Sequence, residues 1–97
     1  MSAAYVYILA SGIGGTLYLG AATNLVARVH QHRSGDVKGF TQKYKAHRLV
    51  YYEVFDDLEN AFLRERQLKK WNRSWKIELI EKINPHWSDL YPEIAAQ

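Results

Sequence analysis

The chain contains no cysteine, which excludes disulfides and cysteine-ligated zinc and fits a reducing compartment. It also has no apolar run long enough to cross a bilayer. The most hydrophobic stretch, Tyr5 to Ala10, falls well short of the ~20 residues a spanning helix needs. That stretch carries neither the basic flank nor the cleavage site of a secretory signal. Internal repeats, low-complexity tracts and linkers are absent too. Together these absences give the expectation of a soluble, cytoplasmic protein. Bulk composition is ordinary: 97 residues, 47% hydrophobic and 24% charged, suit one globular domain with a modest core. Residues 2–92 are expected to form that domain and 93–97 a flexible tail.

Charge is more informative in its placement than in its total. The formal net charge is only +3, but Arg64, Arg66, Lys69, Lys70, Arg73 and Lys76 crowd six cations into a short span. Lys38, Lys43 and Lys45 form a second group, interleaved with Phe40 and Tyr44. Clustered cations neutralise phosphates, and aromatic faces stack on unpaired bases. A solvated basic helix and an ordinary polar loop would show the same charges.

Tyr5-Val6-Tyr7-Ile8-Leu9 is rich in β-branched and aromatic residues and ends at Ser11-Gly12-Ile13-Gly14-Gly15, so it reads as a strand followed by a turn. Thr16 to Leu19 continues as a second strand, giving a hairpin. No Lys-Ser/Thr pair follows the glycines, so a phosphate-cradling loop is disfavoured. Asn24 or Thr23 can cap a helix from about Leu25 to Arg33, stopped by Ser34-Gly35. After a long loop comes a third strand, Leu49 to Val54. Asp56-Asp57 opens a second helix, Leu58 to about Trp71, with Glu59 placed for a capping-box contact. A third helix, about Ser74 to Lys82, stops before Asn84-Pro85. Trp87, Leu90 and Tyr91 are expected to fold back onto the domain. The order β-β-α-β-α-α predicts an α+β fold, with helices packed on a three-stranded, mostly antiparallel sheet.

Two helices carry polar residues where a core would want apolar ones. In the second, Leu58, Ala61, Phe62 and Leu68 share a face, and Glu65 stands in the middle of that stripe. An unpaired buried carboxylate is costly, so Glu65 is either salt-bridged to an arginine or a metal ligand at a cleft rim. In the first, Leu25, Val29 and His32 share a face, with Arg28 one turn before His32. Either Arg28 and Glu65 form a buried ion pair with His32 as a bystander, or the three converge on a ligand.

The same residues carry a resemblance. Tyr5-Val6-Tyr7 and Tyr18-Leu19-Gly20 resemble the two name motifs of the GIY-YIG nuclease superfamily, especially its small URI-type members. The motif tyrosines lie eleven residues apart. The family's helix arginine falls at Arg28, its histidine at His32, and its metal-binding glutamate at Glu65, four after Ala61. The likeness runs from Tyr5 to Tyr91. It includes Gly39-Phe40-Thr41, Lys43-Tyr44, Gln67-Leu68-Lys69-Lys70-Trp71 and Trp75-Lys76, with Asn84 loosely matching a late asparagine. Tyr5 stands for the first glycine, Leu19 for isoleucine, and Ala21 where some relatives have lysine.

The resemblance implies a phosphodiester hydrolase acting on DNA with one divalent ion, Mg²⁺ or Mn²⁺, held by Glu65. Arg28 would grip the scissile phosphate and Tyr7 would orient water or phosphate. Either Tyr18 or His32 would take the proton. Lys38, Phe40, Thr41, Lys43, Tyr44, Lys69, Lys70 and Arg73 would contact DNA. The alternating rings and cations of residues 38–45 favour single-stranded or locally unpaired DNA, unless Phe40 and Tyr44 fold inward. The alternative function is a DNA-binding module without catalysis.

Overall fold

Strand composition sets the architecture. In β1 (Ala4–Ala10) the even residues Ala4, Val6, Ile8 and Ala10 pack into one apolar cluster, while Tyr7 and Leu9 pack into another on the opposite side. A strand covered on both faces needs apolar residues at nearly every position, and β1 has them. It is therefore the middle strand. The computed structural model describes residues 3–35 and 43–96, with β2 (Leu17–Ala22) and β3 (Arg48–Phe55) pairing to either side of β1. Both pairings are antiparallel, as expected. A register irregularity opposite Ile8 and Leu9 turns Leu49 toward the Tyr7 side and leaves both Val50 and Tyr51 on the Val6 side.

The helices cover these two faces. α1 (Leu25–Ser34) lies on the Tyr7 side, starting where the Asn24 side chain accepts the Ala27 N–H and ending at Gly35 with φ 80°. α2 (Leu58–Lys70) and α3 (Arg73–Ile83) contribute Ala61, Leu68 and Ile80 to the Val6 side. The α2 cap is Asp57, but its partner is Asn60 rather than Glu59: the Asn60 backbone and side-chain N–H groups both donate to it. α3 begins a residue before the expected Ser74, because Asn72 accepts the Trp75 N–H. The stripe expected on α2 is narrower than its sequence implies. Ala61 and Leu68 are fully buried, whereas Phe62 is 45% exposed, since it sits ~100° further round the helix from Ala61.

The chain after α3 does pack back, and further than expected. Trp87 is 1% exposed and sits at φ 57°, its indole N–H donating to Glu81 at 2.7 Å. The Leu90 N–H donates to the Leu49 carbonyl at 2.7 Å. A further helix follows, α4 (Tyr91–Ala95), which buries Ile94 beside Leu25 and Val29. This helix extends into the segment 93–97 expected as a tail. Pro92 in its first turn suits a helix start, a signal that the short length concealed. Among the described residues no helix is long and apolar enough to cross a membrane.

Candidate active site

The hairpin register builds the first half of the site. Tyr7 on β1 faces Gly20 on β2, and Tyr18 lies opposite Leu9, so both tyrosines point to the α1 side. Gly20 is there for space. A Cβ added to it would meet the Tyr7 ring 2.5 Å from Cζ, and the hydroxyl closer still. Only a glycine leaves room for the phenol against the neighbouring strand. The general sign, a glycine inside a strand where something approaches closely, was present in the sequence.

α1 supplies the second half. Its buried line, Leu25, Val29 and His32, aims the imidazole at both tyrosines. His32 is fully buried. Its ring lies 5.0 Å from that of Tyr18 and 6.1 Å from that of Tyr7, and the two tyrosine rings are 6.4 Å apart. The Tyr7 hydroxyl and His32 Nε2 share a 3.3 Å hydrogen bond. Burial is the largest influence on both groups. It drives the Tyr7 phenol far above the ordinary tyrosine range, with Tyr18 and the Glu65 charge adding to the effect and Arg28 opposing it. Burial also lowers the His32 pKa, helped by Arg28 and His47. Tyr7 is therefore a fixed protonated phenol, and His32 a neutral imidazole.

Arg28 and Glu65 complete the set. Arg28 is exposed on α1, one turn before His32, close enough for its charge to act on both Tyr7 and His32. Among the described residues it makes no ion pair. The expected alternative of an Arg28–Glu65 bridge is not what forms. Glu65 instead lies 3.3 Å from Lys69 Nζ, with the carboxylate side chain 17% exposed and the lysine 56%. The arginine beside it, Arg64, is held by Glu53 at 2.9 Å. Glu65 thus keeps a largely sheltered carboxylate whose charge reaches Tyr7, and among the described residues its ion-pair partner is the exposed Lys69. Among the described residues no group of three or more acidic, histidine or cysteine side chains converges as a metal cage. One accessible carboxylate suits a hard ion that keeps most of its waters, as Mg²⁺ does, so the donor set fits the expected cofactor.

The expected DNA contacts divide. Lys43 and Tyr44 are exposed neighbours, the ammonium 5.4 Å from the ring centre. Lys69 is committed to Glu65 and Lys70 is exposed. Arg73 does something else: its Nη2 donates to the carbonyls of Gly14 and Gly15, each at 2.6 Å, and clasps the β1–β2 turn. Lys38, Phe40 and Thr41 lie outside the described residues. Asn84 is 7% exposed and faces inward. Its amide donates to Val50 and Ser88 carbonyls and its oxygen accepts the Ser88 N–H, all within 3.0 Å. It ties the end of α3 to β3 rather than joining the site.

Comparison with known proteins follows the same residues. The GIY-YIG catalytic domain model matches residues 3–78. A UPF0213 protein of Syntrophus aciditrophicus is 40% identical over 86 residues, 88% of this chain and 97% of that one. Another, from Pediococcus pentosaceus, is 36% identical over 78 residues, 80% of this chain and 81% of its own. The solution NMR structure of a UPF0213 protein from Bacillus halodurans is similar at a TM-score of 0.55 and 29% identity, covering 90% of this chain and 92% of that one. With its motif residues in family order, and most of its length matched, the chain belongs to the GIY-YIG family of nuclease domains.

Proposed function

We propose that the protein is an endonuclease that hydrolyses DNA phosphodiesters with a divalent ion held by Glu65. One observation supports this reading: a buried Tyr7–His32 pair lies beside Tyr18, with the Arg28 and Glu65 charges near enough to act on Tyr7. When bound, Mg²⁺ or Mn²⁺ would polarise the phosphoryl group and stabilise the leaving oxygen. The chain supplies the rest. Arg28, exposed and without an ion pair among the described residues, binds the scissile phosphate and offsets charge growing on it. Tyr7 remains protonated, and its buried hydroxyl, bonded to Nε2, fixes the His32 imidazole in place. Tyr18, only partly buried, is the phenol that water reaches, and His32 beside it accepts or relays the proton.

The test is cleavage of labelled single- and double-stranded DNA by purified protein with Mg²⁺ or Mn²⁺, repeated with chelator and with Glu65→Ala. Cutting that needs both the ion and Glu65 is expected. Tight binding with no ion-dependent cutting would instead identify a non-catalytic DNA-binding module. The exposed Lys43–Tyr44 pair supports a preference for unpaired DNA, which the same two substrates measure.

A further inference from the structure

α2 and α3 meet at a two-residue corner that presents an aromatic surface away from the catalytic patch. Trp71 and Trp75 pack edge to face, centroids 5.8 Å apart at 87°. The Arg64 guanidinium covers the Trp71 ring at 5.3 Å, so Trp71 is held from two sides and acts as a prop. Trp75, 53% exposed, is left showing a face. It separates two hollows of unlike charge. One, lined also by Glu78, Leu79, Glu81 and Lys82, carries two carboxylates against one cation. The other is an open groove of about 460 Å³ formed by Leu63, Arg66, Gln67, Lys70 and the two tryptophans, with no carboxylate in its lining. An indole and two cations beside an apolar floor match an unpaired nucleobase with its flanking phosphates.

The groove and Glu65 share α2. Along α2, Glu65 touches Lys69, Lys69 neighbours Arg66 at i−3, and Arg66 neighbours Lys70 at i+4. This cationic ladder climbs ~9 Å from Glu65 to the tryptophan corner. We propose that Trp75 stacks an unpaired base of the same DNA strand that passes Glu65, with Arg66 and Lys70 gripping the adjacent phosphates. The proposal rests on the DNA-processing reading above.

Fluorescence anisotropy of labelled oligothymidine and of a duplex of equal length, both in chelator, tests it on the full chain. Trp75→Ala is expected to weaken oligothymidine binding roughly 5- to 100-fold, the range for a lost base stack, and to leave duplex affinity and the unfolding midpoint unchanged. Trp75→Phe should retain most of the affinity. Arg66→Glu should weaken binding and lower the salt dependence by at least about one ion. Wild-type affinity in Trp75→Ala overturns the proposal. So does an equal loss on duplex, or a concentration-dependent dimer that Trp75→Ala dissolves, which would make a second copy the occupant. Should Trp75→Ala unfold, Trp75→Phe and Arg66→Glu decide. Cleavage in Mg²⁺ is read separately. Ion-dependent cutting with Trp75→Ala binding normally sinks the platform alone, whereas Trp75-dependent binding by a protein that cuts nothing sinks the nuclease alone.

Discussion

Gly20→Ala is the sharpest probe of how fold and site are joined. The added methyl would lie 2.5 Å from Tyr7 Cζ and 3.0 Å from Cε1, well inside van der Waals contact. A surface side chain would swing away, but Tyr7 is 1% exposed and wedged between the sheet and α1. Overpacking of this kind costs ~1–3 kcal/mol. Moving the phenol also breaks its bond to His32, worth ~1 kcal/mol. Against this, alanine restricts the unfolded chain and returns ~0.4–1 kcal/mol. The net loss is about 1–3 kcal/mol, which lowers the midpoint of a domain this size by roughly 5–20 °C. Thermal unfolding followed by circular dichroism measures it, and cleavage assayed well below the midpoint should also fall because the hydroxyl has left His32. Tyr7→Phe in the same chain removes the nearest atom but not the Cζ contact, so it should recover only part of the stability. An unchanged midpoint together with full activity in Gly20→Ala would refute the steric argument.

Arg28→Ala should lower the cleavage rate on the order of 10²–10³-fold if the cation stabilises developing charge, with the unfolding midpoint unmoved because the side chain is exposed; comparable losses in both would mean a structural role. His32 has a folded pKa below its ordinary 6.5, so the unfolded chain binds more protons just below that pH and stability should fall as pH drops from 7.5 to 5.5. Urea midpoints across that window should slope less in His32→Gln, and an identical slope would mean His32 is not buried neutral. Asn84→Ala should cost ~2–3 kcal/mol by leaving buried carbonyls unpaired, yet leave cleavage per folded molecule intact; a selective loss of rate would return Asn84 to the site.

Where local chemistry decides the outcome, the sequence was readable. The strand run Tyr5–Leu9, the Asn24 cap and the Asp57 start each answer to neighbours within a few residues, and each stands within a residue or two of its expected place. Glu65 and His32 were visible because they break an apolar period. The misses depend on contacts between distant segments. Whether Phe62 faces in or out is set by how α2 is rotated on the sheet, which α2 alone does not encode. Arg73 looks like any cation in a basic helix until the turn at Gly14 and Gly15 arrives beneath it. The helix at Tyr91–Ala95 is too short to show a period, and what holds it is burial of Ile94 against α1. Asn84 reads as a helix stop, and it is one; its further work as a brace between α3 and β3 appears only when Val50 and Ser88 are brought alongside.

The three rings at the candidate site are made different by depth, which bears on the proton transfer proposed for them. All sit on one side of a sheet only three strands wide, where one layer of helix covers them. Tyr7, on the middle strand, is sealed and cannot ionise near neutral pH, so its hydroxyl serves as a rigid hydrogen-bonding post. His32 is sealed from the opposite side by α1 and kept neutral, which preserves a lone pair that a solvent-exposed imidazole would lose more readily to acid. Tyr18 lies on the edge strand and is the least covered of the three. In the mechanism proposed above, a proton taken from water at the edge would pass inward from Tyr18 to His32, whose ring centroids are 5.0 Å apart. At Tyr7 burial is the larger influence and opposes a phenolate, while the Arg28 cation favours one. Edge placement leaves Tyr18 within reach of water while the middle strand holds Tyr7 still against His32.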